Sequence, residues 1–144
     1  SDIVPAKSIY HLEASSQVHI DLSRLNIPFT RPPKVWIPPV QDTNSMDPGF
    51  DYQHNPILIA GADEENQQVM VEWLAQEWKR NPKSAANIIV YQMDGQYPCI
   101  HRIVAMAEDA EGRYWRLRGD NNLRRDPHKV RDRHIRWLCI GVIY

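Results

Sequence analysis

The sequence has few cysteines, no long apolar run and almost no excess charge, and each shortage limits what the chain can be. Its two cysteines, Cys99 and Cys139, allow at most one disulfide and lie in apolar runs, which favours buried thiols. No run approaches the roughly 18 apolar residues that a membrane helix needs, and the first residues show no signal-peptide pattern. The net charge of −1 gives no overall attraction to nucleic acid. We therefore expect a globular domain without nucleic-acid contacts.

The length and the prolines indicate a single domain rich in strands and turns. A chain of 144 residues can bury one real core but is too short for two ordinary domains. Its 11 prolines favour short strands over a helical bundle. Five of them lie within residues 26–39, and because proline has no amide donor, this stretch is predicted to be extended or at a sheet edge. We predict one domain over residues 1–144, with residues 1–40 as an extended part packed on the core.

Apolar periodicity predicts several strands and one helix. The helix covers about residues 63–80, with acidic residues near its start and an Asn-Pro pair after its end. Its predicted apolar stripe comprises Val69, Met70, Trp73, Leu74, Glu77 and Trp78. One or two strands are predicted within residues 8–22, and further strands at residues 34–37, 56–60, 87–93, 98–106, 113–118 and 135–143.

A serine on a predicted bend is the first candidate for chemistry. Ser45 lies between a polar run and the turn-forming sequence Asp-Pro-Gly at residues 47–49. A serine hydroxyl is a poor nucleophile until a base removes its proton. His101 is the candidate base, since an imidazole titrates close to neutral pH. Asp126 is the candidate to orient the ring, and Asp120 is its rival.

Three short motifs contain these residues. They are Ser-Met-Asp-Pro at residues 45–48, His-Arg-Ile at residues 101–103 and Gly-Asp-Asn-Asn at residues 119–122. In this order they resemble the motifs of the archaeal and endoplasmic-reticulum branch of the signal peptidase I family, with Asp47 in place of that family's glutamate. LexA-type self-cleaving repressors share the family's fold, but they use a lysine where this chain has His101.

The resemblance implies a fold. We expect a mainly β domain of coiled antiparallel β-sheets of the LexA and signal-peptidase type, with one inserted α-helix at about residues 63–80. The interval between Ser45 and His101 is longer than the family leads us to expect. We interpret residues 63–82 as a helical insertion that covers one side of the sheet, with a lid over a substrate groove as the alternative.

The resemblance also implies an activity: a serine endopeptidase that cleaves an extended polypeptide through an acyl-enzyme. Ser45 would attack the scissile carbonyl, His101 would carry the proton, and Asp126 would orient the ring. No cofactor is expected. The alternative is the effector or dimerisation domain of a LexA-like transcriptional regulator whose cleavage is slow, self-directed or lost.

Supporting residues follow from the same resemblance. The backbone amide of Ser45 and the hydroxyl of Thr43 would bind the oxyanion. Asp120 and Asn121 would support the turn that precedes Asp126. Members of the family carry a membrane anchor just before the nucleophile. Because this chain begins with Ser1 and not with Met, we expect membrane contact only through an anchor removed ahead of Ser1, and a cytoplasmic protein otherwise.

Two further patterns concern metals and anions. The spacing of five histidines does not match a metal-binding pattern, so no metal is predicted. These histidines are His11, His19, His54, His128 and His134. Residues 113–136 contain nine lysines and arginines against three aspartates. This local excess indicates either a solvated surface with ion pairs or a site for an anionic partner.

Overall fold

The computed structural model describes residues 10–12, 18–20, 25–38 and 55–143. This part of the chain is mainly β, with seven antiparallel strands in a curled half-barrel sheet and a single helix. The prediction of a mainly β fold with one helix is confirmed. In these described ranges no helix has both the length and the apolar character needed to cross a membrane.

The described part of the chain contains nine strands and one α-helix. Two short strands, β1 (Tyr10–Leu12) and β2 (Val18–Ile20), pair with each other. The elements after them are β3 (Lys34–Trp36), β4 (Asn55–Ala60), α1 (Glu64–Arg80), β5 (Ile88–Tyr91), β6 (Cys99–Asp109), β7 (Gly112–Arg118), β8 (Val130–Arg131) and β9 (Ile135–Ile143). All the predicted strands are present, with ends that differ by a few residues.

The seven later strands form one antiparallel sheet in the order β3-β4-β9-β5-β6-β7-β8. The last strand, β9, lies between β4 and β5 because it is apolar on both faces: Leu138, Cys139, Ile140 and Val142 are all buried. The register shifts within the β4–β9, β5–β9 and β6–β7 pairs. Such irregularities bend a strand and increase its twist, which favours the curled shape of this sheet.

Helix α1 covers one face of the sheet. Its N-cap residue Asp63 accepts the backbone N–H of Asn66 at 2.9 Å, and Lys79 and Arg80 occupy its last turn. The predicted stripe is partly wrong. The buried positions are Asn66, Met70, Val71, Leu74, Ala75 and Glu77, whereas Val69, Trp73 and Trp78 are only half-buried. Val71 and Ala75 belong to the buried core, and Trp73 and Trp78 pack against that core while partly exposed.

Ion pairs account for several cations in the basic stretch of residues 113–136. Arg113 Nη2 lies 2.6 Å from Asp132 Oδ2, and Lys129 and Arg131 contact Asp109 at 2.9 and 2.8 Å. Hydrogen bonds from Arg131 and Lys129 keep the pKa of Asp109 far below its usual range. For these residues the structure shows ion pairs, although the side chains of Arg113 and Arg131 are only 17% and 11% exposed.

Candidate active site

His101 lies on β6, inside the sheet, where it pairs with Ile89 of β5. Successive side chains of a strand alternate between its faces, so His101 shares a face with Cys99 and Ile103. This face belongs to the core that α1 covers, and only 9% of His101 is exposed. The prediction that a strand holds the imidazole is therefore confirmed.

Asp126 reaches the ring from the β7–β8 loop, which comprises residues 119–129. Its Oδ2 lies 2.6 Å from His101 Nδ1, although the two residues are 25 positions apart. The backbone N–H of Asp126 donates to Leu117 O at 2.7 Å, which anchors it at the end of β7. The two side chains are 11% and 10% exposed, so little water competes for the contact.

Asp120, the rival candidate, has a different partner. Its two carboxylate oxygens accept from Arg102 Nε and Nη2 at 2.8 and 2.9 Å, a bidentate pair that ties the loop to β6. The N–H of Asn122 donates to Gly119 O at 2.9 Å and closes the turn, in which Asn121 is exposed. The structure thus brings Asp126 to His101 and Asp120 to Arg102.

Tyr91 is a site residue that the sequence analysis missed. Its buried hydroxyl donates to Asp126 Oδ2 at 2.6 Å, the same oxygen that contacts His101. Burial raises the pKa of Tyr91, and its hydrogen bond to Asp126 raises it further. The phenol therefore stays protonated and serves as a donor. Tyr91 faces Cys99 in the β5–β6 register, a pairing that no single sequence motif reveals.

The charges of the His101–Asp126 pair follow from opposing effects on the two pKa values. Burial alone would lower the pKa of His101, but the contacts with Asp126 and Cys99 outweigh it and raise that pKa to about 9. Burial alone would raise the pKa of Asp126, but hydrogen bonds from His101 and Tyr91 lower it below the usual range. At neutral pH the pair is a protonated imidazole beside a carboxylate, with Nδ1–H donating to Oδ2.

Cys99 adds a thiol to the same site. Its Sγ lies 3.3 Å from His101 Nδ1, as the two-residue spacing on one strand allows. Both cysteines are free thiols, and Cys139 lies in a separate buried cluster on the other face of the sheet, where burial raises its pKa to about 12. The possible disulfide is therefore absent. Sγ of Cys99, Nδ1 of His101 and a carboxylate oxygen of Asp126 lie within 4.8 Å of one another, a group that is able to hold a metal ion.

The predicted nucleophile and its oxyanion partner, Ser45 and Thr43, lie outside the described residues. Their roles stay predictions, as do the catalytic roles of His101 and Asp126. No protein-family model, curated protein or solved structure matches this chain.

Proposed function

We propose that this protein is a serine endopeptidase in which Ser45 is the nucleophile and the His101–Asp126 pair transfers the proton. The observation that supports it is the 2.6 Å contact between His101 Nδ1 and Asp126 Oδ2, between nearly buried side chains from different elements. A carboxylate on Nδ1 leaves Nε2 as the ring atom that exchanges a proton with the nucleophile.

Each group has a defined task in this proposal. The Ser45 hydroxyl attacks the scissile carbonyl while Nε2 of His101 takes its proton, and a tetrahedral oxyanion forms at the Ser45 amide and the Thr43 hydroxyl. The imidazolium then gives the proton to the leaving amine, and the C–N bond breaks. A water molecule repeats the sequence and releases the acyl group. Asp126 holds the tautomer and stabilises the charged ring throughout.

The raised pKa of His101 affects the choice of assay. The ring must lose its Nε2 proton before it can act as a base, and with a pKa of about 9 the base form is the minority at neutral pH. Turnover is therefore best measured near pH 9, in metal-free buffer.

The experiment combines a serine-reactive phosphonate with turnover of a peptide library. We expect the wild-type chain to be labelled and active, and Ser45→Ala and His101→Ala to lose both properties. Ser84→Ala is the matched serine control, because Ser84 lies next to a short helical turn before β5 and its hydroxyl accepts the N–H of Ala86 at 3.1 Å. Equal labelling of Ser45→Ala and the wild-type chain would refute the proposal.

A pair of aspartate variants tests the roles in the loop. Asp126→Asn should lower the turnover rate by roughly 10³- to 10⁴-fold, because an amide favours the wrong tautomer of the ring. Asp120→Asn also removes a charge from this loop, but the partner of Asp120 is Arg102, so the turnover rate of the folded variant should fall much less than that of Asp126→Asn. Equal losses in the two variants would contradict the assignment of Asp126. Cleavage restricted to the chain itself would favour the LexA-like alternative.

A further inference from the structure

Three different metal-binding side chains converge at one end of β6. Cys99 supplies a thiol and His101 an imidazole from the same face of the strand, and Asp126 supplies a carboxylate from the β7–β8 loop. Sγ and Nδ1 are 3.3 Å apart, Nδ1 and Oδ2 are 2.6 Å apart, and one ligand atom from each residue lies within 4.8 Å of the others. These are ligand types that Zn²⁺ accepts.

The separations suit a single ion. Zinc lies about 2.0–2.3 Å from its ligand atoms, so two atoms on one tetrahedral ion are about 3.3–3.8 Å apart. The Sγ–Nδ1 distance of 3.3 Å is at the lower end of this range. The carboxylate of Asp126 is closer to the ring, and a shift of less than about 1 Å would bring it into the same range. Three protein ligands leave a fourth position for water.

We propose that Cys99, His101 and Asp126 form a binding site for Zn²⁺ or a similar thiophilic divalent cation, and that the bound ion switches the peptidase off. Binding releases two protons, one from the thiol of Cys99 and one from Nδ1 of His101. The proton on Nε2 stays. The inhibitory part rests on the proposed function, because a ring with a metal on Nδ1 and a proton on Nε2 is unable to accept a proton from Ser45.

Metal binding is measured first, without reference to activity. Chelator-treated and dialysed protein is titrated with Co²⁺, whose thiolate complexes absorb through charge transfer, and the Co²⁺ is then displaced by Zn²⁺. We expect one equivalent of Co²⁺ to bind per chain and to give a thiolate charge-transfer band. Cys99→Ser should abolish the band, and Asp126→Asn should weaken binding by at least about tenfold. Cys139→Ser is the control for the other thiol and should keep both the thiolate band and the affinity of the wild-type chain.

The binding data have a clear contrary outcome. A Co²⁺ spectrum without a thiolate band, or equal affinities of Cys99→Ser and Cys139→Ser, would overturn the metal site. Loss of fold is monitored in the same samples by circular dichroism. A Cys99→Ala variant provides a second test if Cys99→Ser does not fold.

Inhibition is measured second. Zn²⁺ should abolish peptide turnover by the wild-type chain, and a chelator should restore it. For Cys99→Ser the Zn²⁺ concentration at half inhibition, relative to that variant's own metal-free rate, should rise at least about tenfold. If the chain binds metal but cleaves no peptide, the metal site is supported and the proposed peptidase activity is refuted. If Zn²⁺ binds but does not change peptide turnover, the inhibitory role is refuted and the metal site is not.

Discussion

At the scale of single residues, Tyr91 is the side chain that fixes the carboxylate in the candidate active site. Its hydroxyl and His101 Nδ1 both contact Oδ2 of Asp126 at 2.6 Å, so the phenol and the imidazole bond the same oxygen. A hydrogen bond to a charged group contributes about 1.5–3 kcal/mol. The described hydrogen bond of Tyr91 is to Asp126, which itself orients the ring of His101, and we therefore regard Tyr91 as a positioning residue.

Replacing Tyr91 by Phe tests this role. The ring still fills its buried place, but Asp126 loses one of its donors. We expect kcat of the proposed peptidase to fall about tenfold, which corresponds to about 1.4 kcal/mol, while KM stays the same. Tyr97→Phe is the control, because Tyr97 is 94% exposed. A Tyr91→Phe variant that loses stability but keeps its kcat would show that Tyr91 has only a structural role.

The residues of the site differ in how well the sequence reveals them. His101 and Asp126 belong to, or closely follow, recognisable motifs, and the structure brings them into contact. Cys99 lies in a predicted strand, and the alternation of side chains on that strand puts it on the same face as His101. Tyr91 depends on which residue of β5 faces which residue of β6, a register that no short stretch of sequence specifies.

At the scale of elements, the start of α1 is joined to the proline-rich segment by Asn66. This side chain is fully buried, and its Oδ1 accepts the backbone N–H of Thr30 at 2.8 Å. Its Nδ2 donates to Asp63 Oδ1 at 2.7 Å, the same oxygen that caps the helix. Asn66 therefore links the cap of α1 to residues 25–38.

Asn66→Ala should lower the free energy of unfolding by about 2 kcal/mol, because it leaves the N–H of Thr30 without its acceptor and opens a small cavity. Urea unfolding followed by circular dichroism measures the change. The matched control is Gln68→Ala, an exposed position on the same helix that should change stability by less than about 0.5 kcal/mol. Equal losses in the two variants would contradict the role of Asn66.

The elements also show where local sequence signals stop being informative. The ends of α1 follow from nearby residues: a capping aspartate, acidic residues in the first turn and basic residues in the last. The apolar residues of β9 indicate an interior strand, but its neighbours β4 and β5 do not follow from nearby residues, because strand order depends on contacts between residues that are far apart in the chain. The sequence therefore predicts the elements better than their arrangement.

At the scale of the whole molecule, two buried histidines have pKa values shifted in opposite directions. Burial lowers the pKa of His134; the charges of Arg133, Arg136 and Arg131 lower it further, and Asp94 opposes them. The neutral ring accepts the N–H of Arg131 at 2.9 Å. The second histidine, in the candidate active site, has a pKa raised from 6.5 to about 9.

These shifts predict a stability maximum near pH 6.5, the usual pKa of histidine. Below it, the unfolded chain takes up a proton at His134 that the folded protein refuses, so stability is lost as the pH falls. Above it, the folded protein keeps the proton on His101 that the unfolded chain releases, so stability is lost as the pH rises towards about 9. The alkaline loss is on the order of 3 kcal/mol.

Urea unfolding at several pH values, with a chelator present, measures both sides of this maximum. His101→Gln should flatten the alkaline side and leave the acid side unchanged, and His134→Gln should do the reverse. Asp63, Asp109 and Asp126 have lowered pKa values and act on the acid side of this window. Cys139 and Tyr91 have pKa values raised from 9.0 and 10.0, so they add to the loss mainly above pH 9, where the series ends. If His101→Gln kept the full alkaline loss, the proton on the imidazole beside Asp126 would not be its source, and the charged pair inferred at neutral pH would be wrong.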